Sequence, residues 1–187
     1  MAEIRFDMRS DIKRTVAEFS AMASDVKDKA TYRALNRALD KVGTETGREV
    51  RKEYNVKLAA VRNALSKRRA NSRSLSARLL VEGARLGLIE FAARWRQGMP
   101  VGASVKIKVA GGRKTIKGAF IATNRRTGYT GVWRREGKSR MPIRNLRSIS
   151  IPQAVMNRMV LAALEAVAVE TFNKNFEQQV RYLSGSV

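Results

Sequence analysis

The chain has 187 residues, 44 % of them hydrophobic, and its 38 Lys and Arg outnumber its 16 Asp and Glu, giving a formal net charge of +22. Because this apolar content is ordinary for a globular protein, we expect one folded domain over residues 1–187 rather than a disordered chain. The sequence has neither cysteine nor histidine, which excludes disulfides, thiolate or imidazole metal sites and histidine-based catalysis.

Most of the positive charge lies in the middle of the chain. Residues 54–164 contain 24 Lys and Arg but only three acids, Glu82, Glu90 and Glu136. Clustered cations repel one another unless an anionic surface accepts them, so this region predicts a partner: nucleic acid, an acidic protein face or anionic lipid. No uncharged stretch is long enough to span a membrane and the first residues do not resemble a signal peptide, so we expect a soluble protein made in a cytoplasm, with no membrane partner.

Residues 1–54 have the hydrophobic periodicity of helices. The first helix is indicated by apolar residues three and four positions apart: Ile12, Val16, Phe19 and Ala23. A second, longer helix is predicted from Asp28 to Tyr54. It contains Gly43 and Gly47, each of which costs a helix about 1 kcal/mol relative to alanine. These glycines either permit a close backbone crossing or are simply tolerated.

Residues 55–73 predict a basic amphipathic linker helix. Leu58, Val61 and Leu65 recur at helical spacing, and no acid occurs from Val56 to Arg73. The candidate side chains for binding DNA or an acidic partner are Lys57, Arg62, Lys67, Arg68, Arg69 and Arg73. Cations near a helix C-terminus also complement the helix dipole, so a structural role accounts for some of them.

Residues 74–150 are predicted to be β-rich and to form a small antiparallel sheet or partial barrel. Strands are indicated at residues 75–81, 105–109, 114–116, 119–121 and 130–133. Gly111-Gly112 supplies a tight hairpin turn, and the loop at residues 124–128 is polar on both sides and therefore exposed. This loop adds Arg125 and Arg126 to the candidate binding residues.

Ser150 to Gln153 has the form of a capping box, with proline in the first helical turn. A long helix is predicted from there over residues 151–183. Its apolar face is wide enough to pack on its own sheet and also on the N-terminal helices or a neighbouring subunit. The predicted fold is therefore α+β, with N-terminal helices, a small antiparallel sheet or partial barrel, and a long C-terminal helix.

The segment from residue 117 to 143 carries the most specific pattern. Its distinctive residues are Gly118, Ala119, Phe120, Ile121, Arg135, Gly137, Lys138, Arg140, Pro142 and Ile143. The pattern resembles the minor tail protein Z family of lambdoid bacteriophages and prophages, in which a Gly-Ala-Phe-Ile strand is followed by a strand ending in Arg and then by Gly-Lys-x-Arg-x-Pro-Ile. Phe120 is expected to be a buried anchor of this motif.

The resemblance implies a structural virion protein at the head-proximal end of the tail, assembled in the host cytoplasm. Such a protein completes the tail so that it joins a filled head and passes DNA. The implied partners are other phage tail and neck proteins, further copies in a homo-oligomeric ring, and nonspecific contacts with phage DNA. A cationic surface is compatible with these partners.

A sequence-nonspecific nucleic-acid-binding protein is the alternative, because the same basic region would serve it without an oligomer. An enzyme is not expected, and no cofactor is implied. No cluster of carboxylates resembles a two-metal nuclease site. The segment from Gly111 to Thr115 departs from a phosphate-binding loop, since Arg113 separates its glycines from Lys114.

Overall fold

The computed structural model describes residues 16–17, 24–95 and 102–185. Its helices are α1 (Ser24–Glu53), α2 (Leu58–Asn63), α3 (Ile151–Val155) and α4 (Arg158–Leu183), with a 3-10 turn at Leu88–Glu90. Its strands are β1 (Leu65–Arg68), β2 (Arg78–Val81), β3 (Ala103–Val105), β4 (Lys114–Ile116), β5 (Ala119–Thr123), β6 (Thr130–Arg135) and β7 (Ile143–Asn145). The predicted α+β class is confirmed. Residues 16–17 are helical, and the rest of the predicted first helix lies outside the described residues.

The two long helices, α1 and α4, pack side by side and run antiparallel. Near the start of α1, Arg33 donates a hydrogen bond to Gln179 near the end of α4. At the other end, Asn157 donates from its side-chain amide to the hydroxyl of Tyr54, over 3.1 Å. The pair therefore stays in contact over most of its length.

Small residues on α1 allow the two helices to approach closely. Ala30, Ala34 and Ala38 recur every four residues and are buried against α4. In return, α4 contributes Phe172 and Phe176, whose stacked rings have centroids 5.6 Å apart. This alanine stripe against stacked phenylalanines forms one of two hydrophobic cores, and it consists mainly of helical residues.

The second core joins the helices to the small sheets. Its buried members include Val61, Val81, Leu88, Phe91, Ala103, Val105, Val132, Val155 and Leu164. Within the described residues, the strands form antiparallel pairs β1–β2 and β3–β4 and a three-stranded sheet β5–β6–β7, with no closed barrel. The predicted hairpin is confirmed by the β3–β4 pairing, but the tight turn expected at Gly111-Gly112 is wrong. Strand β3 ends at Val105 instead of running to residue 109, so these glycines lie within a longer connection over residues 106–113.

Gly43 and Gly47 make room for side chains rather than for a backbone crossing. A Cβ atom at Gly47 would lie 2.5 Å from the Cδ1 atom of Leu58 on α2. One at Gly43 would lie 2.6 Å from the Cε atom of Lys67 on β1. The segment that follows α1 therefore folds back onto the face of α1 that carries these glycines.

The predicted linker helix over residues 55–73 is wrong beyond its first half. Helix α2 ends at Asn63, and the next residues form strand β1, in which Leu65 is paired with Val81 and Lys67 with Leu79. Of the predicted cationic residues, Arg68 lies on this strand as well. Pairing with β2, whose residues lie 10 to 16 positions further along the chain, outweighs the local helical periodicity. A single sequence does not reveal such pairing.

The predicted C-terminal helix is confirmed from residue 158 but is interrupted before it. Ser150 and Gln153 form the expected capping box, with each side chain bonded to the other residue's backbone N–H. Helix α3 nevertheless ends after Val155. The side chain of Asn157 then accepts a hydrogen bond from the backbone N–H of Met159 and caps α4 as a new helix.

The expectation that Phe120 anchors the core is also wrong. In β5 the residue buried in the core is Ala119, and Ile121 packs against the same core two positions later. Because side chains alternate along a strand, Phe120 lies on the opposite face and is only half-buried. There its ring centroid lies 5.6 Å from the guanidinium carbon of Arg135.

These burial differences predict very different costs for two Phe→Ala substitutions. Phe172→Ala removes a fully buried ring from the helix interface and should lower the free energy of unfolding by about 3–5 kcal/mol. Phe120→Ala removes a half-buried ring and one cation–π contact, so its cost should be about 1–2 kcal/mol. Urea denaturation followed by circular dichroism measures both. Equal losses for the two variants would contradict the assignment of Phe120 to the outer face.

Candidate interaction surface

The hairpin formed by β1 and β2 is fastened to α1 by an ion-pair cluster. The Nζ atom of Lys67 lies 2.8 Å from a carboxylate oxygen of Asp40, and the Nη2 atom of Arg69 lies 2.9 Å from both oxygens. The side chain of Asn36, one turn earlier on α1, donates to the carbonyl of Ala70 and accepts from its N–H. The cationic hairpin therefore has a fixed position on the helix pair.

The two cations that contact Asp40 change its ionisation. Burial by itself would raise the pKa of Asp40, but the hydrogen bonds from Lys67 and Arg69 and their positive charges outweigh it and lower the pKa below 3.8. Asp40 thus remains a carboxylate to a lower pH than an isolated aspartate. Its charge is committed to holding the hairpin in place.

The structure divides the predicted cationic residues of 57–73 into two groups. Lys67 and Arg69 are paired with Asp40, and Lys57 lies 3.3 Å from Glu90. Arg62, Arg68 and Arg73 are exposed, and within the described residues their side chains contact no acid. Only the second group is available to an external anion without breaking an internal contact.

A second arginine, which sequence analysis missed, lies directly across from Arg68. In the β1–β2 register Arg68 is the partner of Arg78, so the two side chains project from the same face of the hairpin. Both are exposed, and in the described part of the chain neither has a counter-ion. Like charges at directly opposed positions destabilise a strand pair. The arrangement therefore favours an anion that is not part of this chain.

The same arrangement recurs in the three-stranded sheet. Arg134 of β6 is the register partner of Arg144 of β7, and both are exposed. Sequence analysis did not select either residue. The available signal was the run of arginines at 134 and 135, but strand β7 was not predicted and so the opposing arginine could not be recognised.

The motif residues build the turn between β6 and β7. Arg135 donates from Nη1 to the carbonyl of Arg140, over 2.9 Å, and the N–H of Glu136 donates to the carbonyl of Pro142. Lys138 projects from this turn and is exposed. These hydrogen bonds therefore fix the position of a cationic loop at the edge of the sheet.

The other motif residues shape the sheet itself. Gly118 has a φ of +71°, a conformation that favours glycine, and turns the chain from β4 into β5. Gly137 is exposed, with open space around its Cα, while Ile143 is half-buried in β7. Gly118, with its positive φ, and the core-facing Ala119 and Ile121 therefore have structural reasons for their residue types, whereas the position of Gly137 supplies none.

Aromatic side chains line the outer face of this sheet. Trp133 is half-buried, is paired with Phe120 in the register, and donates from Nε1 to the carbonyl of Ala122. Tyr129 meets the Trp133 ring edge-on, with centroids 6.3 Å apart. Gly131 leaves room for this contact, since a Cβ there would lie 2.7 Å from the Tyr129 ring. Arginine lies among aromatic rings on this face, as Arg135 does against Phe120, and this combination is typical of protein interfaces.

The predicted exposed loop between β5 and β6 is confirmed. The side chain of Asn124 accepts hydrogen bonds from the backbone N–H groups of Arg126 and Thr127, and Gly128 has a φ of +67°. Arg125 and Arg126 are exposed at the tip, without a side-chain partner in the described residues. They extend the cationic surface beyond the two arginine pairs.

Two kinds of site are absent from the described part of the chain. Nowhere in it do three or more Asp or Glu side chains come together in a group that could hold a metal ion. None of its helices combines the length and the apolar character needed to cross a membrane.

Comparison with known proteins gives one match. A family model described as prophage minor tail protein Z matches residues 11–183 of the chain. No curated protein and no solved structure matches it.

The ion pairs on α1 predict a loss of stability in acid. The hydrogen bond from Lys41 and the charge of Arg48 lower the pKa of Glu45 despite its burial, and the pKa of Asp40 is lowered as well. Both groups stabilise the fold fully above their ordinary pKa values of 4.5 and 3.8, and this stabilisation is lost as the pH falls through the lowered values. Stability should therefore decline below about pH 4.5.

Asp40→Asn tests the contribution of the cluster that holds the hairpin. At neutral pH it should cost less than about 1 kcal/mol, because Asp40 is 44 % exposed and screened by solvent. The difference from wild type should shrink as Asp40 of the wild-type protein becomes protonated. Urea titrations between pH 3 and pH 7 measure it, with Glu170→Gln, an exposed site on α4, as the control. A difference that does not change with pH would contradict the ion-pair account.

Proposed function

Because this chain belongs to the prophage minor tail protein Z family, whose members are structural proteins of the phage tail, we propose that it completes the head-proximal end of the tail. In this role it forms a ring of identical copies and joins neighbouring tail and neck proteins. The match over residues 11–183 supports a structural role in the phage tail. The arrangement of the exposed arginines supports the more specific role, which is to join the tail to neighbouring proteins.

The observation that carries the proposal is the pair of opposed arginines in each of two sheets. Arg68 faces Arg78, and Arg134 faces Arg144, with no counter-ion in the described residues. Each pair destabilises the isolated chain, so an anionic partner gains from neutralising it. A protein whose final state is an assembly receives that partner during assembly.

Acidic faces of adjacent tail and neck proteins also fit the outer face of the three-stranded sheet. This face presents Trp133, Phe120 and the stacked Arg135, whereas Arg134 and Arg144 project from the opposite face, since Arg134 is the register partner of the buried Ala119. Tryptophan, tyrosine and arginine are the residues that contribute most to binding energy at protein interfaces. The outer face, which combines the charge of Arg135 with half-buried aromatic rings, therefore favours a protein partner.

Nonspecific contact with phage DNA is the second candidate, and the exposed arginines of the β5–β6 loop favour it. Arg125 and Arg126 project from an exposed turn, and no acidic side chain is paired with them in the described residues. Exposed guanidinium groups of this kind contact phosphates without reading base sequence. In this role the protein would line the passage of DNA from the head into the tail.

Replacing the four opposed arginines by glutamine separates stability from assembly. The variant Arg68→Gln, Arg78→Gln, Arg134→Gln, Arg144→Gln should be at least as stable as wild type, because repulsion is removed. It should nevertheless fail to complete tails when supplied to a phage lacking the wild-type protein. Infectious particles per cell and tail-to-head joining in electron micrographs are the measurements.

The matched control removes four exposed cations that lie on helices: Arg51, Arg158, Lys174 and Arg181. It has the same net charge and should complete tails normally. Normal tails from both variants would remove the opposed arginines from the mechanism. Equal failure of both would mean that total charge, and not this geometry, is what assembly requires.

DNA affinity distinguishes the two partners. If the arginine pairs contact phosphates, log Kd should depend on log salt with a slope of about 0.9 per contact, and the fourfold variant should flatten it. We expect the slope to change little, because the acidic protein partner is favoured. A large flattening for this variant, but not for the control, would favour the DNA role instead.

A further inference from the structure

A second interaction site lies in the seam between α1 and α4, away from the sheets. It is a groove of 490 Å³, lined by Arg33, Asn36, Arg37, Gln178, Gln179 and Tyr182. We propose that this groove binds an acidic peptide segment of another protein, through the carboxylates of that segment. The proposal does not depend on the role of the arginine pairs in joining.

Neutral side chains hold the two arginines of the groove in place. Arg33 donates from Nη1 to the Oε1 atom of Gln179 over 3.3 Å, and Gln179 is 7 % exposed at the base of the groove. Arg37 donates from Nη1 to the Oδ1 atom of Asn175 over 3.0 Å and to Gln178 over 3.3 Å. An amide oxygen orients a guanidinium group but leaves its charge uncompensated.

Some other cations on α1 have a carboxylate as their partner. Arg48 lies 2.8 Å from Glu45, and Lys52 lies 2.6 Å from Glu49, so a carboxylate neutralises each. Within the described residues, Arg33 and Arg37 have only amide partners. Each guanidinium has five N–H donors, and only Nη1 is engaged in these bonds. The remaining donors suit the paired oxygens of a carboxylate.

The dimensions of the groove favour a peptide over nucleic acid. Arg33 and Arg37 are four residues apart on one helix, a rise of about 6 Å, which matches carboxylates at successive turns of a helix or alternate positions of a strand. Packed helices lie about 8–10 Å apart, so their seam cannot admit a DNA duplex. Tyr182, 67 % exposed at the rim, adds the aromatic contact common at protein interfaces.

The binding test uses a fluorescein-labelled oligoglutamate peptide and the full chain at physiological salt, where long-range attraction is screened. Arg33→Gln with Arg37→Gln should weaken binding at least about tenfold, since two charge-assisted hydrogen-bonding sites are lost. Lys174→Gln with Arg181→Gln removes the same charge from the adjacent surface of α4. This control should bind within about twofold of wild type.

A third variant guards against misfolding of the arginine variant. Tyr182→Ala leaves the net charge unchanged and removes an exposed ring, so the fold should be retained. It should weaken the peptide about threefold to tenfold, as expected for an aromatic anchor. Backbone amide shifts on adding peptide should be largest at residues 178–182 in nuclear magnetic resonance spectra.

Two results would overturn the proposal. One is equal weakening by the groove variant and its control, with shifts spread over the whole cationic surface. The other is a labelled single-stranded oligonucleotide that displaces the peptide and loses affinity in the same groove variants. Failure of the tail-completion test leaves this measurement unaffected, because peptide binding is measured on the isolated protein.

Discussion

The antiparallel contact between α1 and α4 is the constraint on which the rest of the structure depends. Two of the three small sheets in the described residues have only two strands, too few to be stable alone. They gain stability by packing on the helix pair. Alanines at four-residue spacing on α1 and the stacked Phe172 and Phe176 on α4 supply that platform. Each cationic element is positioned relative to it.

The cations on this helix pair and on the sheets differ in whether a carboxylate neutralises them. Two carboxylates of α1, Asp40 and Glu45, each contact two cations. The charge of Asp40 is neutralised by the two cations that fasten the hairpin. In the described residues, the arginines of the seam are hydrogen-bonded only to amide side chains. The opposed arginines of the sheets have no counter-ion in the described residues. A minor tail protein reaches its stable state among neighbours, so such uncompensated positions are consistent with assembly completing the electrostatics.

The family motif identifies the family correctly, although the core position expected for Phe120 is wrong. Phe120 was expected to anchor the core, yet Ala119 and Ile121 are the residues of β5 that pack inward. Hydrophobicity alone cannot decide which face of a short strand is buried when its first four residues are all apolar. The contact that decides it is between Ile121 and its register partner Val132 across the sheet. Phe120 then meets Arg135 on the outside.

The sequence by itself determined the α+β class, the two long helices, the capping box at Ser150, the β3–β4 hairpin and the cationic character of the middle of the chain. These features depend on local periodicity, turn chemistry and composition, which neighbouring residues carry. Only the tertiary structure decided that Leu65–Arg68 is a strand, that Asp40 neutralises Lys67 and Arg69, and that Arg68 and Arg134 each face another arginine. Such pairings join residues distant in the chain, and no single sequence records their register.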